Sequence, residues 1–260
     1  MQDRPAILDA RQLGRMLDLS AVHAEADLGQ VRRLAETCQR YGCICAFVLP
    51  CYMADLKAFL AEAPEVGLGG VVGFPSGAHT TETKIAEVRQ HRALGVRELD
   101  MVINVGMLRS GRDSYVEADI RGVVQAAAGI PVKVILEAHH LSDEEIVRGS
   151  RIAVRAGAAF VKTGTGWAPT GATLHNVRLI KSAVGDAAGV KAAGGVRDLA
   201  TILEMIRLGA TRFGVGVNSC DTIFQQLAAW QAERARSPAP SGGPPQPPQP
   251  QTARSSALPA

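Results

Sequence analysis

The chain has 260 residues, of which 47% are hydrophobic and 20% are charged, and its formal net charge is +3. This composition excludes a fibrous or wholly disordered protein and suits a soluble protein of one large or two small domains. The mild, scattered positive charge argues against a nucleic-acid partner but suits an anionic metabolite. No apolar run is long enough to span a bilayer and no leader-like segment opens the chain, so we expect a cytoplasmic protein without membrane contact.

Short apolar runs alternate with segments of helical periodicity from Leu17 to Trp230. The apolar runs predict eight strands, over residues 16–19, 44–49, 66–74, 98–103, 132–137, 160–162, 189–192 and 212–215. The periodic segments predict eight helices, over residues 27–41, 52–63, 81–94, 113–128, 142–156, 174–184, 199–208 and 221–234. Ser142 and Glu145 have the spacing of a capping box at the start of the fifth helix.

Strands separated by helices imply right-handed crossovers and a parallel sheet. Eight such units fit a closed (β/α)8 barrel, the TIM barrel of the α/β class, better than an open doubly wound sheet. No GxGxxG motif follows the first strand and no P-loop motif occurs, so a nucleotide-binding open sheet lacks its main support. We therefore predict a single barrel domain over residues 1–236.

The remaining residues, 237–260, are rich in proline and glutamine, and Leu258 is their one branched or long apolar residue. Such a segment cannot bury enough apolar surface to offset the entropy of ordering it. We predict a disordered tail, with a proline-rich ligand for a partner protein as the alternative.

Lys162 ends a short apolar run and precedes a loop rich in glycine and threonine. A lysine at this place loses much of its hydration, although by itself it could be a structural lysine that reaches water. Lys191 lies near the end of the neighbouring predicted strand, and neighbouring strands lie about 4.8 Å apart. Two adjacent cations lower the pKa of at least one amine, which could then form a Schiff base with a carbonyl. The alternative is that each lysine pairs separately with a carboxylate such as Glu137.

Asp100 lies inside an apolar strand, where an acid is costly unless it is paired or hydrogen-bonded. Beside a lysine pair it could move protons, neutralise a lysine structurally, or do both. Lys133 shares one side of its strand with Glu137 by alternation, and it belongs either to this polar network or to a cap at the surface. Asp18, near the end of the first predicted strand, is a further supporting candidate.

Paired glycines follow three consecutive predicted strands, where backbone N–H groups could surround an anion or simply form tight turns. These candidates for phosphate binding are Gly164, Gly166, Gly194, Gly195, Gly214 and Gly216. The histidines at 79, 139 and 140 show neither HxH nor HExxH spacing, and the five cysteines show no CxxC spacing. We therefore predict neither a metal site nor a disulfide framework.

At these residues the chain resembles the deoxyribose-phosphate aldolase family, which comprises class I aldolases on a (β/α)8 barrel. The similarity covers the chain from about Asp18 to Asp221. The segments that carry it are VVGFPSGAHTTETK (71–84), ELDMVINVGMLRSG (98–111), VKVILEAHHLSDEE (132–145), AGAAFVKTGTGW (156–167), TGAT (170–173), GVKAAGGVRD (189–198) and GATRFGVG (209–216).

The resemblance implies reversible cleavage of 2-deoxy-D-ribose 5-phosphate to acetaldehyde and glyceraldehyde 3-phosphate, a step of deoxyribonucleotide catabolism, without a metal or an organic cofactor. It implies that Lys162 forms the Schiff base, that Lys191 lowers its pKa and that Asp100 moves protons. It also implies that Gly194 and Gly195 offer backbone donors to the phosphate. Related barrels often form homodimers, so the expected partners are a sugar phosphate or aldehydes and a second copy of the chain.

The chain departs from the family pattern around the expected substrate. The replacements are Phe47 for a cysteine, Leu49 for an asparagine, Gly164 for a serine, Trp167 for a phenylalanine, Gly216 and Val217 for a serine pair, His23 for a lysine and Ala138 for a threonine. These changes leave open a related Schiff-base aldolase with another aldehyde or sugar substrate. A barrel that binds a sugar phosphate without catalysis is a third possibility, but keeping Lys162, Lys191 and Asp100 together argues against it.

Overall fold

The computed structural model describes residues 9–236, in which eight parallel strands close into a barrel with helices around it. Each strand pairs with the next along the chain, and the last pairs with the first. The predicted (β/α)8 barrel is confirmed, while the predicted tail lies outside the described residues. The strands are β1 (Leu17–Ala21), β2 (Cys45–Val48), β3 (Gly67–Val72), β4 (Glu98–Val102), β5 (Val132–Ile135), β6 (Phe160–Lys162), β7 (Gly189–Ala193) and β8 (Arg212–Gly216).

Apart from α1, which precedes β1, the α-helices follow the strands around the barrel. They are α1 (Ala10–Gly14), α2 (Leu28–Tyr41), α3 (Met53–Phe59), α4 (Thr81–Leu94), α5 (Val105–Arg109), α6 (Asp113–Ala127), α7 (Asp143–Arg155), α8 (Leu174–Val184), α9 (Leu199–Arg207) and α10 (Val217–Arg236). The sequence did not predict α1 and α5, because five residues are too few to show helical periodicity. No helix within residues 9–236 is long and apolar enough to cross a membrane.

Local signals in the sequence determine several helix ends. Helix α4 has the predicted bounds, and Gly95 after it adopts a left-handed conformation with φ 83°. Glycine reaches that conformation without steric cost, so it terminates the helix. The capping box of α7 is confirmed, since the Ser142 side chain accepts from the Glu145 N–H and the Glu145 side chain accepts from the Ser142 N–H.

The first strand is longer at its end than its apolar pattern predicts. It reaches Ala21, and Ser20 pairs with Phe47 on one side and Gly216 on the other. Hydrogen bonds to two neighbouring strands thus outweigh the weak propensity of the segment itself. The last helix likewise starts at Val217, directly after β8, and not at residue 221.

Strand alternation separates an apolar layer from a charged one. Residues such as Leu19, Met101 and Val190 are fully buried in the core between barrel and helices. The alternate residues form the barrel interior, where the register sets Asp100 beside Lys133 and Lys162 beside Lys191. The fold therefore places the predicted lysine pair on adjacent strands, as the sequence indicated.

Candidate active site

Charged side chains from six strands meet inside the barrel. They are buried or nearly so, and because they comprise four cations and three carboxylates, the group carries an excess of one positive charge when all are ionised. The members of this network are Asp18, Glu98, Asp100, Lys133, Lys162, Lys191 and Arg212.

Asp100 is the point at which the predicted catalytic residues meet. One of its carboxylate oxygens, Oδ2, accepts from both Lys162 Nζ and Lys191 Nζ at 2.7 Å, and Oδ1 accepts from Lys133 Nζ at 3.0 Å. Burial alone raises the pKa of Asp100, but the three ammonium groups outweigh burial and hold this pKa well below its usual range. The lysines therefore share one carboxylate, and the alternative of separate pairing with Glu137 is wrong.

The amine of Lys162 is easier to deprotonate than that of an ordinary lysine. Its relative exposure is 8%. Burial and the charges of Lys191 and Lys133 outweigh the opposing effect of Asp100, and they lower the pKa of Lys162 to about 8. The predicted fall in the pKa of a lysine is thus found at Lys162, which makes this amine a nucleophile close to neutral pH.

In the deeper part of the network, the positive charges of Lys133 and Arg212 are matched by the negative charges of Asp18 and Glu98. Lys133 contacts Glu98 at 2.6 Å, and Arg212 contacts Glu98 at 2.8 Å and Asp18 at 2.7 Å. Burial opposes ionisation of Asp18, but Lys133, Lys191 and Arg212 lower the pKa of Asp18 to about 2. Asp100, Asp18 and Glu98 raise the pKa of Lys133 in spite of its burial. Lys133 and Asp18 therefore belong to the polar network, where they hold charges in place.

Sequence reasoning missed two members of the network, Glu98 and Arg212. Alternation could have found Glu98, because it precedes Asp100 by two residues in the same strand and so faces the same side. Arg212 opens the eighth strand, and a buried arginine there is costly without partners. Only the closure of β8 onto β1 shows that Asp18 and Glu98 are those partners.

Glu137 supports the loop after β6 instead of contacting a lysine. It lies beyond the end of β5 with a left-handed φ of 53°, and its carboxylate accepts from the Thr165 N–H at 3.2 Å and from the Thr165 hydroxyl. Gly164 packs behind this contact, where an added Cβ would lie 3.0 Å from Glu137 Oε1 and 3.1 Å from Gly171 Cα. Gly164 is not among the residues that line the cavity, and its predicted contact with the substrate stays a prediction.

A cavity of about 410 Å³ opens at the carboxyl ends of the strands, above Lys162 and Lys191. Its lining includes the other predicted glycines, at positions 166, 194, 195, 214 and 216. Gly194 and Gly195 have φ of 87° and 102°, which favours glycine at both positions. Gly214 also provides space, since an added Cβ would lie 2.7 Å from the Ala193 Cβ.

Phe47 forms an apolar part of the cavity wall, next to the lysines. Its ring centroid lies 4.5 Å from Lys191 Nζ and 4.7 Å from Lys133 Nζ, which places both cations within range of the ring. Gly69 makes room for the ring, because an added Cβ would lie 2.4 Å from a Phe47 carbon. The departure at strand two therefore replaces a small polar side chain with an aromatic surface that faces two lysines.

Trp167 connects two loops at the cavity mouth. Its indole Nε1 donates to the Val22 carbonyl oxygen at 2.9 Å, which ties the loop after β6 to the end of β1. The ring stacks on His23 at 6.5 Å and meets Phe74 edge-on at 6.1 Å. Phenylalanine could not make the hydrogen bond, so this replacement adds a connection across the mouth.

The histidines singled out in the sequence do not converge. His139 Nδ1 lies 2.7 Å from the Thr170 hydroxyl, and His79 Nδ1 lies 3.8 Å from Glu87. Among residues 9–236, no group of three histidine, cysteine or acidic side chains is arranged to hold a metal ion. The expected absence of a metal and of an organic cofactor stays a prediction.

Known proteins resemble the chain over most of its length. A family model described as DeoC/LacD family aldolase matches residues 9–226. The deoxyribose-phosphate aldolase of Sinorhizobium medicae is 48% identical over 233 residues, with 88% of this chain and 93% of the relative covered. The deoxyribose-phosphate aldolase of Klebsiella pneumoniae is 46% identical over 228 residues, with 87% and 92% covered.

Solved structures agree with the sequence relatives. The deoxyribose phosphate aldolase of Aeropyrum pernix, described as a tetramer, superposes with a TM-score of 0.76 at 30% identity, with 86% of this chain and 93% of that chain covered. Another solved structure, described as an aldolase, has a TM-score of 0.77 at 31% identity and covers 88% of this chain and 98% of its own.

Proposed function

Because the chain belongs to the DeoC/LacD family of aldolases, we propose that it reversibly cleaves 2-deoxy-D-ribose 5-phosphate to acetaldehyde and glyceraldehyde 3-phosphate. One observation carries the proposal. Lys162, at the floor of the cavity, shares a single Asp100 oxygen with Lys191, and its pKa is lowered to about 8. A partly neutral lysine beside a proton carrier is what Schiff-base formation with an aldehyde requires.

The first half of the reaction forms the imine. The neutral Lys162 amine attacks the C1 aldehyde of the open-chain sugar, and the resulting carbinolamine loses water to give a protonated imine. Asp100 contacts the nitrogens of Lys162 and Lys191 at 2.7 Å, so it can accept the proton that the amine loses and return it to the departing hydroxyl. Lys191 favours the neutral form of the Lys162 amine by like-charge repulsion.

The second half breaks the carbon–carbon bond. The C3 hydroxyl loses its proton, the C2–C3 bond breaks, and its electron pair moves into the protonated imine to give an enamine. Glyceraldehyde 3-phosphate leaves with a new carbonyl at the former C3. The enamine then takes a proton at C2, and hydrolysis of the imine releases acetaldehyde and restores Lys162. Asp100 and Lys191 are the groups nearest to Lys162 that can accept and donate the protons of these steps.

The remaining predicted residues have supporting roles. Gly166, Gly194, Gly195 and Gly216 line the cavity where their backbones can approach an anionic group of the substrate. Asp18 and Lys133 hold Lys191 and Asp100 in position through contacts of 2.6 Å and 3.0 Å. Glu137 acts further away, by holding Thr165 and therefore the loop that carries Gly166.

A related aldolase with a different aldehyde substrate is the second candidate. It is favoured by Phe47, whose ring occupies the wall beside Lys191, and by Gly216 and Val217, which offer no hydroxyl to a phosphate. A barrel that binds without catalysis is disfavoured, because it has no need of a buried lysine with a lowered pKa.

Borohydride reduction in the presence of acetaldehyde, followed by peptide mass mapping, tests the proposal. We expect a stable adduct on Lys162, lost in Lys162→Ala, and none on the surface residue Lys57, which serves as an internal control. Absence of the adduct under conditions that label a known class I aldolase would reject both aldolase candidates. Relative turnover of 2-deoxyribose 5-phosphate and of 2-deoxyribose then separates the two.

We also propose that the enzyme works in the cytoplasm as a homo-oligomer, with a homodimer as the simplest form. The tetramer described for the Aeropyrum pernix relative supports self-association within the family. Size-exclusion chromatography with light scattering measures the state directly, and a monomer at micromolar concentration would contradict the proposal.

A further inference from the structure

The lining of the cavity combines apolar and cationic side chains. The Trp167 indole bridges the mouth from the loop after β6 to Val22, and Phe47 on β2 forms an apolar part of the wall. The loops after β7 and β8, which lie between β6 and β1 in the barrel, and helix α2 contribute further lining residues. Arg33 on α2 and Arg197 after β7 are cationic side chains among them.

The two arginines lack acidic partners. Other arginines of the chain form ion pairs, such as those of Arg148 with Asp113 and Arg212 with Asp18. Within residues 9–236, no carboxylate forms an ion pair with Arg33 or Arg197. Together with the two lysines, they give the cavity lining four cations against the two carboxylates Asp18 and Asp100. This excess of two positive charges attracts an anionic substrate, and a group with two negative charges would neutralise it.

Arg33 lines the cavity although it lies outside the sequence segments that carry the family resemblance. It lies on α2, and Gln30, one turn before it, also lines the cavity. Since α2 follows β1 and β1 pairs with β8, this helix lies on the side of the barrel where β8 ends at Gly216 and α10 begins at Val217. Those are the positions at which the family pattern has a pair of serines.

We propose that Arg33 binds the terminal phosphate of the substrate, in a part of the cavity where Gly216 and Val217 offer no hydroxyl and Ser219 offers one. A guanidinium can donate two parallel hydrogen bonds to a phosphate, whereas a serine donates one. The backbone N–H groups of the glycine loops after β7 would hold the phosphate from one side, and Arg33 would hold it from the side of α2. The inference rests on the proposed function and specifies its substrate class as a sugar with a terminal phosphate monoester.

Helix α2 provides a matched control. Arg32 is next to Arg33 and is also exposed, but its guanidinium lies 4.3 Å from the Phe59 ring centroid and does not line the cavity. Glutamine has nearly the same helix propensity as arginine, so Arg33→Gln and Arg32→Gln should both fold. Each variant removes one positive charge, so a difference between them reports position and not net charge.

The ratio of kcat/KM for 2-deoxyribose 5-phosphate to that for 2-deoxyribose is the main measurement. We expect Arg33→Gln to lower this ratio about tenfold, the effect of one charge-assisted hydrogen bond, and Arg33→Lys to lower it less. Arg32→Gln should leave the ratio unchanged. Equal ratios for Arg33→Gln and Arg32→Gln would overturn the inference.

Calorimetry with inorganic phosphate keeps the test independent of turnover. Weaker phosphate binding in Arg33→Gln than in Arg32→Gln supports the inference even for a protein that cleaves another substrate. Equal binding by both variants, or no binding by the unsubstituted protein, overturns it. Failure of the proposed function appears separately, as absence of the acetaldehyde adduct on Lys162.

Discussion

Two buried lysines of this chain, Lys84 and Lys162, differ in what surrounds them. Lys84 is completely buried between the barrel and its helices, where its Nζ lies 2.6 Å from Asp119 Oδ2 and 3.2 Å from the Val102 carbonyl oxygen. The other oxygen of Asp119 accepts from the Thr81 hydroxyl at 2.8 Å. One cation therefore meets one carboxylate, and each has further hydrogen-bond partners.

Lys162 lies in a cluster with more cations than carboxylates, and it faces a cavity. Asp100 also forms ion pairs with Lys133 and Lys191, so its single negative charge does not fully compensate the charge of Lys162. The lowered pKa of Lys162 follows from its burial, which this incomplete compensation by Asp100 does not offset. Burial of a lysine alone therefore does not indicate chemistry, whereas a shared carboxylate and access to a cavity do.

Replacing Lys162 by alanine should have the largest effect on activity. Loss of the covalent nucleophile should reduce turnover by about 10⁴-fold or more. The unfolding free energy should fall by no more than about 1 kcal/mol, because the substitution removes a cation from a cluster with an excess of them. Steady-state kinetics and urea unfolding of the same preparation measure both effects, and residual activity near that of the unsubstituted protein would exclude Lys162 as the nucleophile.

Replacing Asp100 by asparagine tests the shared carboxylate. Loss of a positioned proton carrier should reduce turnover by about 10²- to 10⁴-fold at the optimal pH. The variant should still form the borohydride-trapped adduct, but more slowly, because Lys162 remains in place. Single-turnover trapping measures this rate, and an adduct formed at the unsubstituted rate would remove Asp100 from the proton transfers of imine formation.

Replacing Lys84 by methionine tests the buried ion pair of Lys84 with Asp119. Asp119 would keep a buried charge without its cation, so the unfolding free energy should fall by about 3–5 kcal/mol. Activity per folded molecule should stay the same. The double variant with Asp119→Asn should regain part of the loss, since it removes the uncompensated charge. A destabilisation equal to that of Lys162→Ala would mean that the two lysines do not differ as described.

The pH dependence of imine formation should show the smallest effect. Only the neutral Lys162 amine attacks the aldehyde, so the rate should rise up to about tenfold per pH unit below the pKa and level off above about 8. Asp100 raises the pKa of Lys162, so Asp100→Asn should move the rising limb to lower pH. Trapping rates from pH 6 to 9 measure the limb, and a rise that continues to pH 10 would contradict the lowered pKa.

The sequence correctly predicted that Lys162, Lys191 and Asp100 lie close together inside the barrel. Lys162, Lys191 and Asp100 lie in short strands with apolar neighbours, where alternation and strand order limit the places that their side chains can occupy. Their convergence follows from the closed barrel that the alternating elements predicted. Their catalytic roles stay predictions, which the experiments above test.

Alternation predicted less well beyond the strand ends. It placed Glu137 on the same side as Lys133, but β5 ends at Ile135 and the backbone of Glu137 is left-handed. The side chain therefore turns to Thr165 in the next loop. At Gly164 an added Cβ would lie 3.0 Å from Glu137 Oε1, so close packing against Glu137 favours glycine there.

The sequence by itself determined the kind and order of the elements, the barrel, and the charges that face its interior. Local propensity, capping and period-two alternation act over a few residues, so they can be read along the chain. Only the tertiary structure decided that Glu98 and Arg212 balance the network, that Trp167 bridges to Val22 and that Arg33 lines the cavity. These contacts join residues far apart in sequence, and they depend on how loops and helices pack after the barrel has closed.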